Sequence, residues 1–505
     1  MPTRSEALAR LARVPGDDAD GLHRAASAAM AQGCHEEVRT RLLPAVAEHH
    51  PDHAGLWQML ALACRGLGES AEATRAFARA AELRPGDPLL AHSIARTTLE
   101  GGGEAVALFE KAVALAPGDG SVRLGRAAAQ LAEGKADQAR DDLARLLAQA
   151  PGWLEGHAAY ANLTAIAAPD EDPMATIDLA LASYPGETVL LQQAIAMAMN
   201  ARDYARAAAL VARGLGRDPA LRRLEAVCAA ELGRDAEARE IFGRLPAATT
   251  ASEAIWELRN LVRLGRYQES AALLERHFSG DVRTLWPYRA LVWRLTGDPR
   301  WEWLEGDDRL IATYDIAGEL GDIAELAECL RDLHRRSGQH IDQSVRGGSQ
   351  TDGNLLIRSE EPIRRLRRAL LGAVREHVAQ LPPAIDGHPT LVDEREPLRI
   401  AGSWSVRLVD SGFHVDHVHP QGWFSSAFYV ALPEKEKGPA FSEDGRAGWL
   451  SFGENRELVP NLEAFRWVEP RAGTLALFPS ITWHGTRPFG RGERMTVAFD
   501  IALPR

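Results

Sequence analysis

The chain has 505 residues, a formal charge of −12, 46% hydrophobic and 25% charged residues, and only 6% aromatic residues. That balance excludes a disordered chain, no apolar run reaches the roughly 18–20 residues that cross a bilayer, and net negative charge argues against general nucleic-acid binding. Four cysteines far apart in sequence (Cys34, Cys64, Cys228, Cys329) show no CxxC pair, which excludes a disulfide scaffold and a zinc ribbon.

The N-terminal stretch MPTRSEALARLARVPGDD has no apolar leader core, so a cytoplasmic, reducing location is expected. Aromatic residues are unevenly placed. Residues 391–505 hold nine of 13 Phe, five of 12 Trp and one of seven Tyr, whereas the first half is rich in Ala, Leu and Arg. Two kinds of domain are therefore joined.

The first kind is repetitive. Prolines stand at Pro51, Pro85, Pro117, Pro151, Pro185 and Pro219, at intervals of 34, 32, 34, 34 and 34 residues. Each follows a helical pattern and opens a turn. In residues 55–88, Trp57, Leu60, Ala61 and Cys64 form one helical face, Gly68 breaks the helix, and Ala73, Phe77 and Ala80 form the face of a second. Small residues at 61, 73 and 80 let the two helices approach closely, and Pro85 stops the second. This unit resembles the tetratricopeptide repeat. Neighbouring units keep Ala105, Phe109, Ala112 and Pro117, then Ala127, Gly134, Ala139 and Pro151; a later one carries the bulky Ile195 at a position that is usually small. The array is expected to span residues 1–300 as an α-solenoid whose groove binds a peptide or protein, although a purely supporting role also fits.

Residues 301–395 read as a helical linker and loop. Helices are expected within 307–336 and over 361–382, with the Gly- and Ser-rich stretch GQHIDQSVRGGSQTDGN between them. From residue 396 the period changes to two. SWSVRLV alternates Trp404, Val406 and Leu408 against Ser405, Arg407 and Val409. RMTVAFDIAL alternates Met495, Val497, Phe499 and Ile501 against Thr496, Ala498 and Asp500. WFSSAFYVAL, AGWLSFG and GTLALFP add three strands, and short turns between them predict a sandwich or barrel over 396–505.

This domain carries four of the 16 histidines. His414, Asp416, His417 and His419 fall within six residues, His484 follows a later strand, and Arg494 begins the last one. On a strand, residues i and i+2 share a side, so His-x-His or His-x-Asp offers two adjacent ligands to one metal. His484 closes the ligand face, and the opposite positions stay open for small molecules, as in non-haem Fe(II) sites. Arg494 offers a planar charged fork for a carboxylate. If 414–419 were one continuous strand, His414 and Asp416 would face away from His417 and His419, so only one pair would bind. Arg407 is left between the site and solvent. Trp404, Trp423 and Trp483 are expected to pack the core or rim.

Residues from about 400 to 502 resemble the Fe(II)- and 2-oxoglutarate-dependent oxygenases, nearest a bacterial and phage subgroup related to prolyl hydroxylases. The resemblance rests on His417-Val418-His419-Pro420, Ser425-Ser426-Ala427-Phe428-Tyr429, Gly473-Thr474-Leu475, Phe478-Pro479, His484 and Arg494-Met495-Thr496. Ser426 replaces the subgroup's Gly and Phe428 its Tyr. The resemblance implies a double-stranded β-helix (jelly roll), a metal held by His417, His419 and His484, and 2-oxoglutarate held by Arg494 and Thr496. It also implies Fe(II), 2-oxoglutarate and dioxygen as reactants, with a substrate C–H bond oxidised as 2-oxoglutarate becomes succinate and carbon dioxide. His414-Val415-Asp416 matches the wider family's His-x-Asp, and a third arrangement uses His417 and His484 alone. The leading expectation is a hydroxylase of a peptide or protein recruited by the repeats. The alternatives are a scaffold with a degenerate oxygenase domain and a small-molecule oxygenase whose repeats serve assembly. Oligomeric state is left open.

Overall fold

The computed structural model describes residues 2–334, 345–433 and 445–504. The chain divides into two compact units, residues 1–145 with 353–365 and residues 146–352 with 366–505.

The first unit is built of helical hairpins. Ala54–Gly66 and Ser70–Leu83 are paired helices. Gly68 between them has a φ of +71°, a left-handed turn that costs other residues strain. Ala61, Ala73 and Ala80 are fully buried at the contact, with Phe77 filling the space beside them. The next helix, Pro88–Glu100, starts on Asp87, whose carboxylate accepts from Leu89 N and Leu90 N at 2.9 and 3.3 Å. Pro88 occupies a first-turn position where no donor is lost. Asp119 repeats that cap for Gly120–Ala132. Residues 353–365 belong to this unit, and Ser359 Oγ donates to Gly101 O at 2.5 Å.

The second unit continues the helical pattern through Arg222–Glu231, Asp235–Arg244, Ala251–Arg263, Tyr267–Leu274 and Trp286–Thr296. Nine strands follow among the described residues: β1 Ala312–Asp315, β2 Val345–Gln350, β3 Ile400–His414, β4 Gly422–Ala431, β5 Leu450–Phe452, β6 Arg466–Val468, β7 Thr474–Pro479, β8 His484–Thr486 and β9 Glu493–Ala502. They form a six-stranded sheet, ordered β1-β7-β4-β9-β3-β2, and a three-stranded sheet, ordered β6-β5-β8. The recorded pairings are antiparallel. Leu450, Phe452, Val468, Ala476 and Phe478 pack between the two sheets, giving the expected jelly roll.

The segment read as helical linker and loop also supplies two strands of the main sheet. β1 lies inside the stretch read as helix, 307–336, and pairs with β7. β2 lies in the Gly-rich stretch, of which residues 338–344 fall outside the described residues, and pairs with β3. Glycine is required there: a Cβ on Gly348 would stand 2.3 Å from Arg407 O. No helix among the described residues is long and apolar enough to cross a membrane.

Candidate metal centre

β3 ends at His414, and the chain turns before His417. His417 then makes a local antiparallel bridge with His484. His417 N donates to His484 O at 2.9 Å, and His484 N to His417 O at 3.0 Å. Two residues on, His419 N donates to Ser480 O at 2.8 Å. These backbone bonds lay the 417–419 segment along 480–484, which brings together histidines 65 or more positions apart. Ring centroids lie 4.3 Å (417–484), 5.1 Å (417–419) and 5.5 Å (419–484) apart. One ring nitrogen from each lies within 4.8 Å of the others.

Each of these rings is tethered through Nδ1. His417 Nδ1 lies 2.7 Å from Val415 O, His484 Nδ1 2.9 Å from Thr482 O, and His419 Nδ1 2.8 Å from Asp500 Oδ2. A carbonyl or carboxylate oxygen only accepts, so each Nδ1 carries the proton and each Nε2 keeps its lone pair. Burial pushes His417 down to about 4, and the neighbouring His419 adds to the shift; burial also holds His484 well below the usual range. Imidazoles held through Nδ1 by protein acceptors present Nε2 in a fixed orientation, which is what a divalent transition metal takes as ligands.

The rival pair is arranged differently. Because the strand breaks after His414, His414 does not face away: its ring stacks beside His417 at 5.9 Å and 22°. Asp416 does turn away. The buried Asp416 carboxylate accepts from Arg456 N and Nε at 2.8 Å and from Arg456 Nη2 at 2.6 Å, an ion pair with a half-buried arginine. A carboxylate with three charge-assisted bonds has little capacity left for a metal.

Arg494 is 3% exposed, and its Cζ lies 5.4 Å from the Tyr429 ring centroid. Its Nε and Nη1 make no hydrogen bond among the described residues. Burial pulls its pKa down, with Tyr429 acting in the opposite sense. A buried guanidinium with N–H groups lacking an acceptor is costly, and a bound carboxylate relieves that cost. Thr496 lies two residues further along β9, on the same face and buried. Arg407 points the other way, its Nε donating to Glu493 Oε1 at 2.6 Å. Trp423 is buried and donates to Thr390 O, whereas Trp404 is half-buried with its ring 5.5 Å from His419. Ser426, where the subgroup has Gly, exchanges bonds with Phe499 N and O across β4 and β9.

Helices brace the loops that carry these histidines. Arg283 donates to Pro420 O at 3.3 Å and Gly422 O at 3.0 Å, beside His419. Trp483 Nε1 donates to Pro287 O at 3.0 Å, and the Trp483 ring meets Tyr288 edge-on at 5.7 Å. Sequence reading missed Arg283, Arg456 and Asp500. Only Asp500 left a signal, as a carboxylate on the same face of β9 as Arg494 and Thr496.

A jelly roll with three converging imidazoles and a buried arginine that keeps two N–H groups without an acceptor among the described residues belongs to the class of non-haem metal oxygenase domains. Residues 402–500 match the family model of the 2OG-Fe(II) oxygenases, and residues 23–88, 102–163 and 198–253 match tetratricopeptide-repeat models. The protein thus joins tetratricopeptide repeats to a 2OG-Fe(II) oxygenase domain, and it is a 2-oxoglutarate-dependent dioxygenase. The family uses Fe(II), 2-oxoglutarate and dioxygen.

Solved structures similar to parts of the chain include a Pseudomonas putida prolyl-4-hydroxylase (17% identity, 39% of this chain and 94% of that one, TM-score 0.26). HygX from Streptomyces hygroscopicus, with nickel and 2-oxoglutarate bound, is similar at 15% identity (38% of this chain and 82% of that one, TM-score 0.27). YrrB, a tetratricopeptide-repeat protein described as having an unusual peptide-binding site, is similar at 19% identity (37% and 97%, TM-score 0.29). No curated protein matches.

Proposed function

We propose that this dioxygenase hydroxylates a peptide or protein side chain, in a reducing, cytoplasmic setting. Its Fe(II) is held by Nε2 of His417, His419 and His484, and the distal carboxylate of 2-oxoglutarate by Arg494 and the Thr496 hydroxyl. The observation that carries the metal assignment is the common tether: three Nδ1–H groups are taken by protein acceptors, which leaves three Nε2 lone pairs for one ion. Asp416 has no part in this set, because Arg456 holds it.

Bound Fe(II), with 2-oxoglutarate and dioxygen, supplies the oxidising power for C–H hydroxylation, leaving succinate and carbon dioxide. The chain's own residues place the reactants. Arg494 pairs its free N–H groups with a carboxylate and so fixes the far end of the cosubstrate. Trp404, beside His419, forms one wall near the metal. His484 is buried and His417 and His419 are half-buried, which limits the bulk water that reaches the reacting atoms.

Recruitment falls to the repeats within 1–300, since stacked helical hairpins present extended binding surfaces. Tethering a substrate chain there raises its concentration near the metal. Chemistry falls to the β domain of 396–505, completed by β1 and β2 from 301–395.

The test is Fe(II)-dependent conversion of 2-oxoglutarate to succinate by the full chain, abolished by His484→Ala. It is followed by a proteome-wide mass search for peptides that gain one oxygen only when the active protein is present. No metal bound at stoichiometric Fe(II) and no turnover would overturn the assignment. Turnover without any oxidised peptide would move the substrate to the small-molecule class.

A further inference from the structure

The three imidazoles are not equivalent. His417 and His484 give their Nδ1 protons to neutral backbone carbonyls, at 2.7 and 2.9 Å. His419 alone gives its proton to a carboxylate: Nδ1 lies 2.8 Å from Asp500 Oδ2 and 3.0 Å from Oδ1. Among the described residues no Lys or Arg pairs with Asp500, whose side chain is 16% exposed. Its other bond comes from Ser425, whose Oγ donates to Asp500 Oδ1 at 2.6 Å and lies 2.9 Å from Ser480 Oγ. Ser480 in turn accepts the backbone N–H of His419 through its carbonyl. The network therefore closes on His419, and among the described residues Asp500 is its only anion.

Charge explains why this matters. A site with two histidines and a carboxylate contributes one negative charge to Fe(II), whereas three neutral imidazoles contribute none. We propose that Asp500 supplies the missing negative charge of the metal site without touching the ion, by holding the Nδ1 proton of His419 and so making His419 the strongest donor of the three. Asp500 is a positioning residue acting through His419, and the inference rests on the three-histidine metal assignment. A carboxylate behind a ligating histidine fixes its tautomer and ring orientation and raises its basicity, and removing such a group typically weakens metal binding about 10–100-fold. The placement is also geometrically specific: β9 carries Arg494 near one end and Asp500 near the other, on one face, so a single strand serves both the cosubstrate and the metal.

The experiment titrates Co(II), as an optical stand-in for Fe(II), into the full-length metal-free protein and reads both Kd and the visible ligand-field bands. Asp500→Asn keeps an oxygen able to accept from His419 but removes the charge; it should weaken Co(II) about 10–100-fold and shift the bands. Ser425→Ala keeps the charge and removes one brace, and it should weaken Co(II) no more than about 5-fold, with bands close to wild type. If wild type binds Co(II) tightly and Asp500→Asn matches it in Kd and spectrum, the role of Asp500 is overturned while the metal site stands. If Asp500→Asn and Ser425→Ala lose affinity and thermal stability equally, Asp500 is only a brace and the inference fails. If wild type binds no Co(II), the three-histidine assignment falls and this inference with it.

Discussion

Two helical regions follow the same plan and end in different surroundings. In the hairpin of Ala54–Gly66 and Ser70–Leu83, the buried residues join a cluster made of helical residues between Ala7 and Leu90. In the helices of residues 251–296, Leu258, Leu261, Tyr288 and Leu291 share their cluster with Leu458 and Trp483 of the β domain, and Val418 packs against it. The first region is a repeat whose neighbours are repeats. The second is part of the core that holds the histidine loops, because Val418 lies between His417 and His419 and Trp483 precedes His484. Helical units of one pattern therefore divide into those that extend the array and those that build the oxygenase domain.

The sharpest way to break this comparison is a pair of large-to-small substitutions. Phe77 and Trp483 are 1% and 6% exposed, and truncating either should cost about 3–5 kcal/mol of local stability. Their functional readouts should differ. Trp483→Ala should also abolish stoichiometric Co(II) binding, since it removes the bond to Pro287 O and the packing behind His484. Phe77→Ala should leave Co(II) binding unchanged. Equal loss of metal binding in both variants would show that the two regions form one cooperative structure.

Acid provides the next largest effect. His334 and His377 are buried, and burial pushes each down to about 4. His334 sits between Ser349 and Ser405 hydroxyls, and His377 beside the Tyr314 hydroxyl, so each tethers a strand of the main sheet. The folded state keeps both neutral, while the unfolded chain takes up protons below its ordinary value of about 6.5. Stability is thus full above about pH 6.5 and falls as the pH drops toward 4, by on the order of 3 kcal/mol for each histidine. Thermal melts of the oxygenase region from pH 7 to 4.5 should show the decline. Replacing both histidines by Gln should flatten it; an unchanged slope would assign it to other groups.

What could be read from residues alone follows the range of the interactions involved. The repeats were legible because a 34-residue period of Pro and Gly is written within each unit. The strands β3, β4, β7 and β9, and the short β5, were legible because their residue patterns are local. β1 and β2 were not: one is four residues long inside a helical pattern, and the other contains Gly347 and Gly348. The histidine cluster was visible from spacing, but its side of the chain was not. The expectation assumed an unbroken strand, whereas β3 ends at His414. Arg456, which removes Asp416 from contention, is 40 residues away, and Asp500 reaches His419 across 81. Partners at such distances are set by tertiary pairing, which no local pattern records.

The smallest effect probes the brace itself. Arg283 ties the second of the regions compared above to the β domain, since it lies just before Trp286–Thr296 and donates to three carbonyls, those of Pro389, Pro420 and Gly422. Arg283→Met keeps most of the aliphatic stem and removes the donors. The carbonyls lose charged hydrogen bonds in a partly buried place, a loss of about 1–3 kcal/mol. Because Pro420 adjoins His419, the loop should loosen before the sheet does. Co(II) affinity should fall about 3–10-fold, with a melting shift of only a few degrees. A melting shift with no change in Co(II) affinity would mean that Arg283 joins the helices to the β domain without ordering the ligand loop, and that the helical brace reaches the metal through Trp483 alone.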